Sequence, residues 1–343
     1  MLSRVAESIY WMSRYVERAE NVARFIDVNL NLMLDAPDGA GRQWQPLVNT
    51  TGDHEDFAQR CGEATQYNVI QFLTFDRDNP NSIISCLRAA RENARSVREI
   101  ISSEMWLQLN KFYLMVNNAA SSQKGLESPP AFFTEVKLSS HLFTGVTDAT
   151  MTHGEAWHFC RLGRKLERAD KTSRILDVKY FILLRSVADV GTPFDDVQWA
   201  AVLRSASAFE MYRQRHGRIS PRSIVQFLLL DAGFPRAIRF CLNAARDSLH
   251  AISGTPLGTF RNNPEKMLGQ LCSDLACAQV EEIVNKGLHE YLDSLQTRMN
   301  RVGAGIYETF LAKRVPDPAK HMANNQTQSE APGKAGTLEN AEA

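Results

Sequence analysis

Apolar positions recur at three- and four-residue steps along most of this chain. Over residues 3–34 the residues Ile9, Met12, Val16, Ala19, Ala23, Ile26 and Leu30 fall on one stripe, which predicts a single long helix. Ile83, Leu87, Ala90, Ala94, Val97 and Ile101 predict a second helix over 81–102. A third is expected over about 155–186. A fourth is expected from Asn263-Pro264 to about 312, with Asn263 as cap and Pro264 at the first helical position. Prolines and glycines cluster at 37–41, 125–130, 191–193, 217–221, 254–264 and from 316 onward, and punctuate these patterns. Alternating Val/Ile/Thr runs are scarce. The expected fold class is all-α, a multi-helix bundle.

Two stretches are written twice. Residues 14–34 over 164–184 give eight identities in 21 positions, among them Arg14/Arg164, Glu17/Glu167, Arg18/Arg168 and Asp27/Asp177. Residues 69–92 over 224–247 give eleven in 24, including Asp76/Asp231, Pro80/Pro235 and Arg91/Arg246. Matching blocks in the same order at nearly equal offsets point to duplication. The expected organisation is two tandem, pseudo-symmetric helical repeats, 1–150 and 151–315, packed as one unit about an internal two-fold axis. In each, an apolar helix is expected to end near Asp76 or Asp231. Gly233 is available for a left-handed cap, and Pro80 or Pro235 for the first turn of the next helix. The polar, small-residue segment 316–343 cannot bury enough apolar area to offset its ordering entropy and is expected to be disordered.

Lys+Arg and Asp+Glu are 39 each, which argues against a dedicated nucleic-acid binder. No stretch approaches 18 apolar residues, so no membrane span is expected. Charges at Arg4, Glu7 and Arg14 interrupt any signal-like apolar run. The six cysteines form no Cys-x-x-Cys, and are expected to be reduced thiols in a cytoplasmic protein.

The candidate chemistry is charged. Tyr10, Arg14, Glu17, Asn21 and Arg24 share one face of the first helix, where Glu17 can reach Arg14 or Asn21. Arg18 lies on another face among Trp11, Tyr15 and Phe25, in reach of stacking or pairing. The second copy offers Arg164, Glu167, Arg168, Lys171 and Arg174. Two readings stand: a salt-bridge network that sets the register of the halves, or a polar pocket in which Glu17 and Glu167 face each other as acid/base or ligand groups. Along 81–102, Arg88, Arg91, Arg95 and Arg98 form a stripe beside Glu92 and Glu99, with Asn93 between. Glu104, Trp106 and Asn110 follow closely enough to line the same groove. The stripe reads as a solvated flank or as a guanidinium cluster for carboxylate or phosphate. The repeated Asp76/Arg91 and Asp231/Arg246 read as an Asp–Arg lock beneath each turn, which leaves Arg95 and Arg98 as the better binding candidates.

Glu155-Ala-Trp-His158 has the Glu-x-x-His spacing of di-iron bundles, but the second copy such a site needs is missing, so no metal or other cofactor is expected. Nucleotide-binding glycine loops and serine-elbow motifs do not occur.

The opening SIYWMSRYVERAENVAR, the DNPNSI turn, RENARSVREIISSEMWLQLN at 91–110 and the second KLERAD resemble a bacterial family of helical proteins, the alpha-E domain proteins, over about 1–315. By position the resemblance carries over Glu17, Arg18, Glu167, Arg168, Arg91, Glu92, Asn93 and Arg95. It implies association with an ATP-grasp-type ligase or a transglutaminase-like protein in peptide or amide-bond synthesis or modification. It supplies no catalytic mechanism. An accessory or binding protein of that setting is the expected function; an enzyme using a Glu–Arg pocket for acid/base chemistry is the alternative, ahead of a metal-dependent oxidase.

Overall fold

The first stripe becomes helix α1, Ser3–Leu34, and the third becomes α8, Glu155–Leu183; these two long helices pack against each other at the centre of the protein. The computed structural model describes residues 1–34, 44–122, 128–183 and 193–312. Between α1 and α8 run α2 (Gln45–Thr51), α3 (His54–Cys61), α4 (Gln66–Thr74), α5 (Ile83–Ser96), α6 (Ser103–Ser122) and α7 (Pro129–Thr150). After α8 come α9 (Pro193–Ser205), α10 (Phe209–His216), α11 (Pro221–Leu230), α12 (Ile238–Ser253), α13 (Asn263–Cys277), α14 (Val280–Lys286) and α15 (Leu288–Ile306), closed by a π-helical turn at Tyr307–Leu311. Among the described residues there is no strand. The fold is all-α, and Met1–Leu311 form one compact unit. The expected disordered tail lies outside the described residues.

The apolar stripe of α1 is sealed. Ile9, Met12, Val16, Ala19, Ala23 and Ile26 are buried against α5, α7 and α8. On its other flanks α8 meets α12 and α15. The α1–α8 approach depends on Gly163, where a Cβ would lie only 2.5 Å from the Tyr10 carbonyl oxygen. No side chain larger than hydrogen fits there without backbone movement.

Some boundaries differ from the periodicity. The second helix spans Ile83–Ser96 rather than 81–102; Val97 leaves helical geometry at φ −132°, and Val97 and Ile101 stay buried from the turn that follows. The fourth pattern is three helices. Extended backbone at Ala278 and Gln279 ends α13, and Gly287 at φ 103° separates α14 from α15. Its cap is Asn262, one residue earlier than expected, accepting from the Glu265 amide at 3.0 Å.

The turns at Asp76 and Asp231 also form otherwise. Gly233 is not left-handed. Instead Asp231 Oδ1 accepts from the amides of Gly233 and Phe234, and Asp76 Oδ1 from the amide of Asp78 at 2.9 Å, so a carboxylate organises each turn. Pro80 and Pro235 precede their helices, which open at Ile83 and Ile238.

Candidate functional site

Glu17 and Glu167 project from α1 and α8 into the interface between those helices, and each is closed off from water, at 1% and 0% exposure. Each is gripped by the arginine of the other helix. Arg168 donates from Nε and Nη2 to the two oxygens of Glu17, both at 2.7 Å. Arg18 donates from Nε to Glu167 Oε1 at 2.7 Å and from Nη2 to Oε2 at 3.2 Å. These fork-on-carboxylate contacts are the strong form of the charge-assisted hydrogen bond. Arg14 adds a donation to Glu167 Oε2 at 2.8 Å, and Lys171 stands 3.8 Å from Oε1. Asn21 donates to Glu17 at 3.0 Å. The arginines extend into the next layer: Arg18 reaches Asn81 Oδ1 at 2.8 Å and lies over the Tyr15 ring.

The electrostatics follow from this saturation. Burial alone would push the Glu167 carboxyl up, but the fields of Arg18, Arg14 and Lys171 hold it well below the usual carboxylate range. Burial likewise opposes ionisation of Glu17, and Arg168 and Arg236 outweigh it. At neutral pH both groups are held ionised, with their oxygens engaged by the arginines. A general base needs a free lone pair beside substrate and a pKa near working pH, and neither is present here.

A second cluster was not read from the sequence. Glu20, 1% exposed, accepts from Arg24 Nε at 2.8 Å, from Ser140 at 3.1 Å and from Arg236, with His141 Nε2 at 3.0 Å. Burial lowers the Arg236 pKa to about 10, against the raising effect of Glu20. The available signal was the Glu20/Arg24 spacing of four on α1. Arg236 gives no such signal, because it reaches α1 only through the fold.

Arg164 stands apart from the lock, 3.6 Å from Asp148. The expected Asp–Arg locks use other arginines: Asp76 pairs with Arg60 at 2.8 Å and Asp231 with Arg215. Arg91 instead donates to Asn110 at 2.7 Å and lies between the rings of Trp106 and Tyr113. Arg246 turns to Asp247 at 2.9 Å. Arg95 meets Glu92 at 2.6 Å while remaining 67% exposed, Arg98 lies over Trp106 at 5.0 Å, and the Asn93 carbonyl accepts from Ser96. Arg91 and Arg98 therefore both lie against Trp106, with Asn110 bonded to Arg91. Of the predicted candidates, Glu17, Arg18, Glu167, Arg168 and Arg14 form the buried lock, Arg91, Arg95 and Arg98 lie on an arginine–aromatic surface, and Arg164, Asp76, Asp231 and Arg246 belong to neither.

The described residues contain no group of three or more His, Cys, Asp and Glu side chains placed to hold a metal ion. All six cysteines are unpaired; burial pushes the Cys86 thiol up to about 12, which leaves it a poor nucleophile at neutral pH. No helix among the described residues is long and apolar enough to cross a membrane.

Compared with known proteins, residues 1–311 match the model of the Alpha-E family, described as a predicted alpha-helical domain with a conserved ER motif. An uncharacterized protein of Mycobacterium bovis and one of Mycobacterium tuberculosis are each 24% identical over 326 residues, 90% of this chain and 35% of theirs. The chain thus spans about a third of the length of the curated relatives it matches. No solved structure matches it.

Proposed function

The chain belongs to the Alpha-E family, and we propose that it is a helical binding module in which the Glu–Arg motif is an internal lock and the exposed arginine surface meets the partner. The observation that carries this is the burial and mutual saturation of Glu17–Arg168 and Glu167–Arg18. Groups so engaged position helices; they do not turn over substrate. The surface at Arg91, Arg98 and Trp106, with the exposed Arg95 on the same helix as Arg91, offers guanidinium and aromatic faces to a carboxylate-bearing partner.

We further propose that the module is an internal duplication whose halves meet through the lock. Several pairings recur at matched positions. Arg60–Asp76 corresponds to Arg215–Asp231, and each arginine lies over a matched ring, Phe72 or Phe227. Cys86 donates to the Pro80 carbonyl as Cys241 does to that of Pro235. The matched Asp27 and Asp177 are held by partners outside the repeated blocks, Lys137 at 2.6 Å and His289 at 2.7 Å.

The resemblance to the alpha-E proteins supports an ATP-grasp-type ligase, or a transglutaminase-like protein, as the cytoplasmic partner in peptide or amide-bond chemistry. That the relatives contain this domain within a longer chain supports a modular role. Copurification tests it. The wild type is expected to retain the ligase, and Arg95→Ala/Arg98→Ala to lose it without loss of helicity. A wild type that binds neither ligase nor peptide removes the proposal.

A further inference from the structure

A cavity of about 300 Å³ opens beside the lock, between the N-terminal part of α1, the middle of α8, and α15 with its π-helical turn. Its volume is at the lower end of small-ligand sites. One wall is aromatic and apolar: Tyr10 and Trp11 from α1, Leu166 from α8, Met299 and Leu311 from the C-terminal elements. The other is shaped by the turn at Tyr307–Leu311, a backbone form frequent at functional sites.

Arg14, although paired with Glu167 through Nε at 2.8 Å and Nη2 at 2.7 Å, keeps hydrogen-bond donors for this cavity, and Glu308 adds a carboxylate. The Arg14 guanidinium lies over Trp11 at 4.8 Å, donates to Glu167, and contacts the Tyr10 hydroxyl through Nη1 at 3.2 Å. A guanidinium has five N–H groups, and these contacts leave donors on Nη1 and Nη2. Nη1 is on the cavity side: a Cβ at Gly303, on α15, would stand 4.0 Å from it. Glu308, exposed to solvent, also lines the cavity. Asp170 also lines the cavity; its Oδ2 is engaged by Lys171 at 3.2 Å and by Arg174 at 3.0 Å, while its buried Oδ1 has no hydrogen-bond partner. The site thus offers guanidinium donors and an unpartnered carboxylate oxygen inside, a second acidic residue that is exposed to solvent, and an apolar wall.

We infer that this cavity binds a free α-amino acid with an apolar side chain, its carboxylate on Arg14, its ammonium at Glu308 and its side chain against Trp11, Met299 and Leu311. A simple monoanion would use Arg14 but gain nothing from Glu308, and a simple amine would face Arg14. This inference is independent of the ligase partnership.

Isothermal titration of the full chain with L-phenylalanine, L-leucine, 3-phenylpropionate and phenethylamine tests it. One of the amino acids is expected to bind, and phenylpropionate and phenethylamine at least tenfold more weakly, about the worth of one charged hydrogen bond. Arg14→Gln should weaken binding by a similar factor. Gly303→Leu should abolish it by filling the cavity, with the fold retained. The inference is overturned if neither amino acid binds, if either single-charge analogue binds as well, or if folded Gly303→Leu binds like the wild type; the last variant decides the matter should Arg14→Gln fail to fold.

Discussion

Gly163 and the carbonyl oxygen of Tyr10 mark a close approach of the two central helices, at a spacing that excludes a Cβ. One turn away on the same interface lie Glu167 and Arg14. The missing side chain lets the backbones come near enough for arginines of one helix to reach carboxylates of the other. Gly163→Ala is therefore expected to destabilise, despite alanine's better helix propensity, by about 1–3 kcal/mol as overpacking does. Urea denaturation measures it. A stabilised variant would show that the approach is loose.

Acid should weaken the lock in a defined direction. The folded-state pKa of Glu167 is depressed, so its contribution is present above the unfolded value of 4.5 and is lost as pH falls through the folded one. The destabilisation caused by Glu167→Gln should be full at pH 6 and shrink below pH 4.5. Melting curves of both proteins across pH 3–7 read this directly. A difference that does not change with pH would mean that Glu167 is not held ionised.

Lys165 has the opposite character. It is 8% exposed, with its ammonium over the Phe240 ring at 4.7 Å, and burial lowers its pKa to about 8 from 10.5. The cost of burying that charge is full below pH 8 and disappears as pH rises to 10.5. Lys165→Met should therefore be more stable than the wild type at pH 7, by up to about 3 kcal/mol from the size of the shift. The gap should narrow between pH 8 and 10.5. Equal stability at pH 7 would refute the assignment.

On the exposed surface the effects should be small. Arg95→Ala/Arg98→Ala removes an i,i+3 pair and a ring contact at solvent, and is expected to shift stability by about 0.5 kcal/mol or less. Arg91→Ala should cost more, because Arg91 is held by Asn110 and two rings. Chemical denaturation of the two variants gives the ranking.

The sequence carried the helices whose stripes are long, because a buried face repeats within one helix, and the residues of the lock, because the Glu-Arg phrase is written twice. Ile9 through Ile26 read correctly since a buried face must repeat every three or four residues. Partners contributed from elsewhere were not legible. Arg60 for Asp76, Asn81 for Arg18 and Arg236 for Glu20 are fixed by packing between elements. Gly233 misled because glycine permits a left-handed cap without requiring one, and the Asp231 side chain satisfied those amides instead. The break of the last pattern at Gly287 was hidden by apolar spacing that continues across it.

A double-mutant cycle on Glu17→Gln and Arg168→Met, read by urea denaturation, tests the lock most directly. Each single change leaves a buried charge or its donors uncompensated and should cost about 3–5 kcal/mol. The double variant should be much less damaged than their sum, with a coupling of about 2 kcal/mol or more. Additive losses, or variants that fold as stably as the wild type yet lose a measurable activity, would contradict a structural role for the pair.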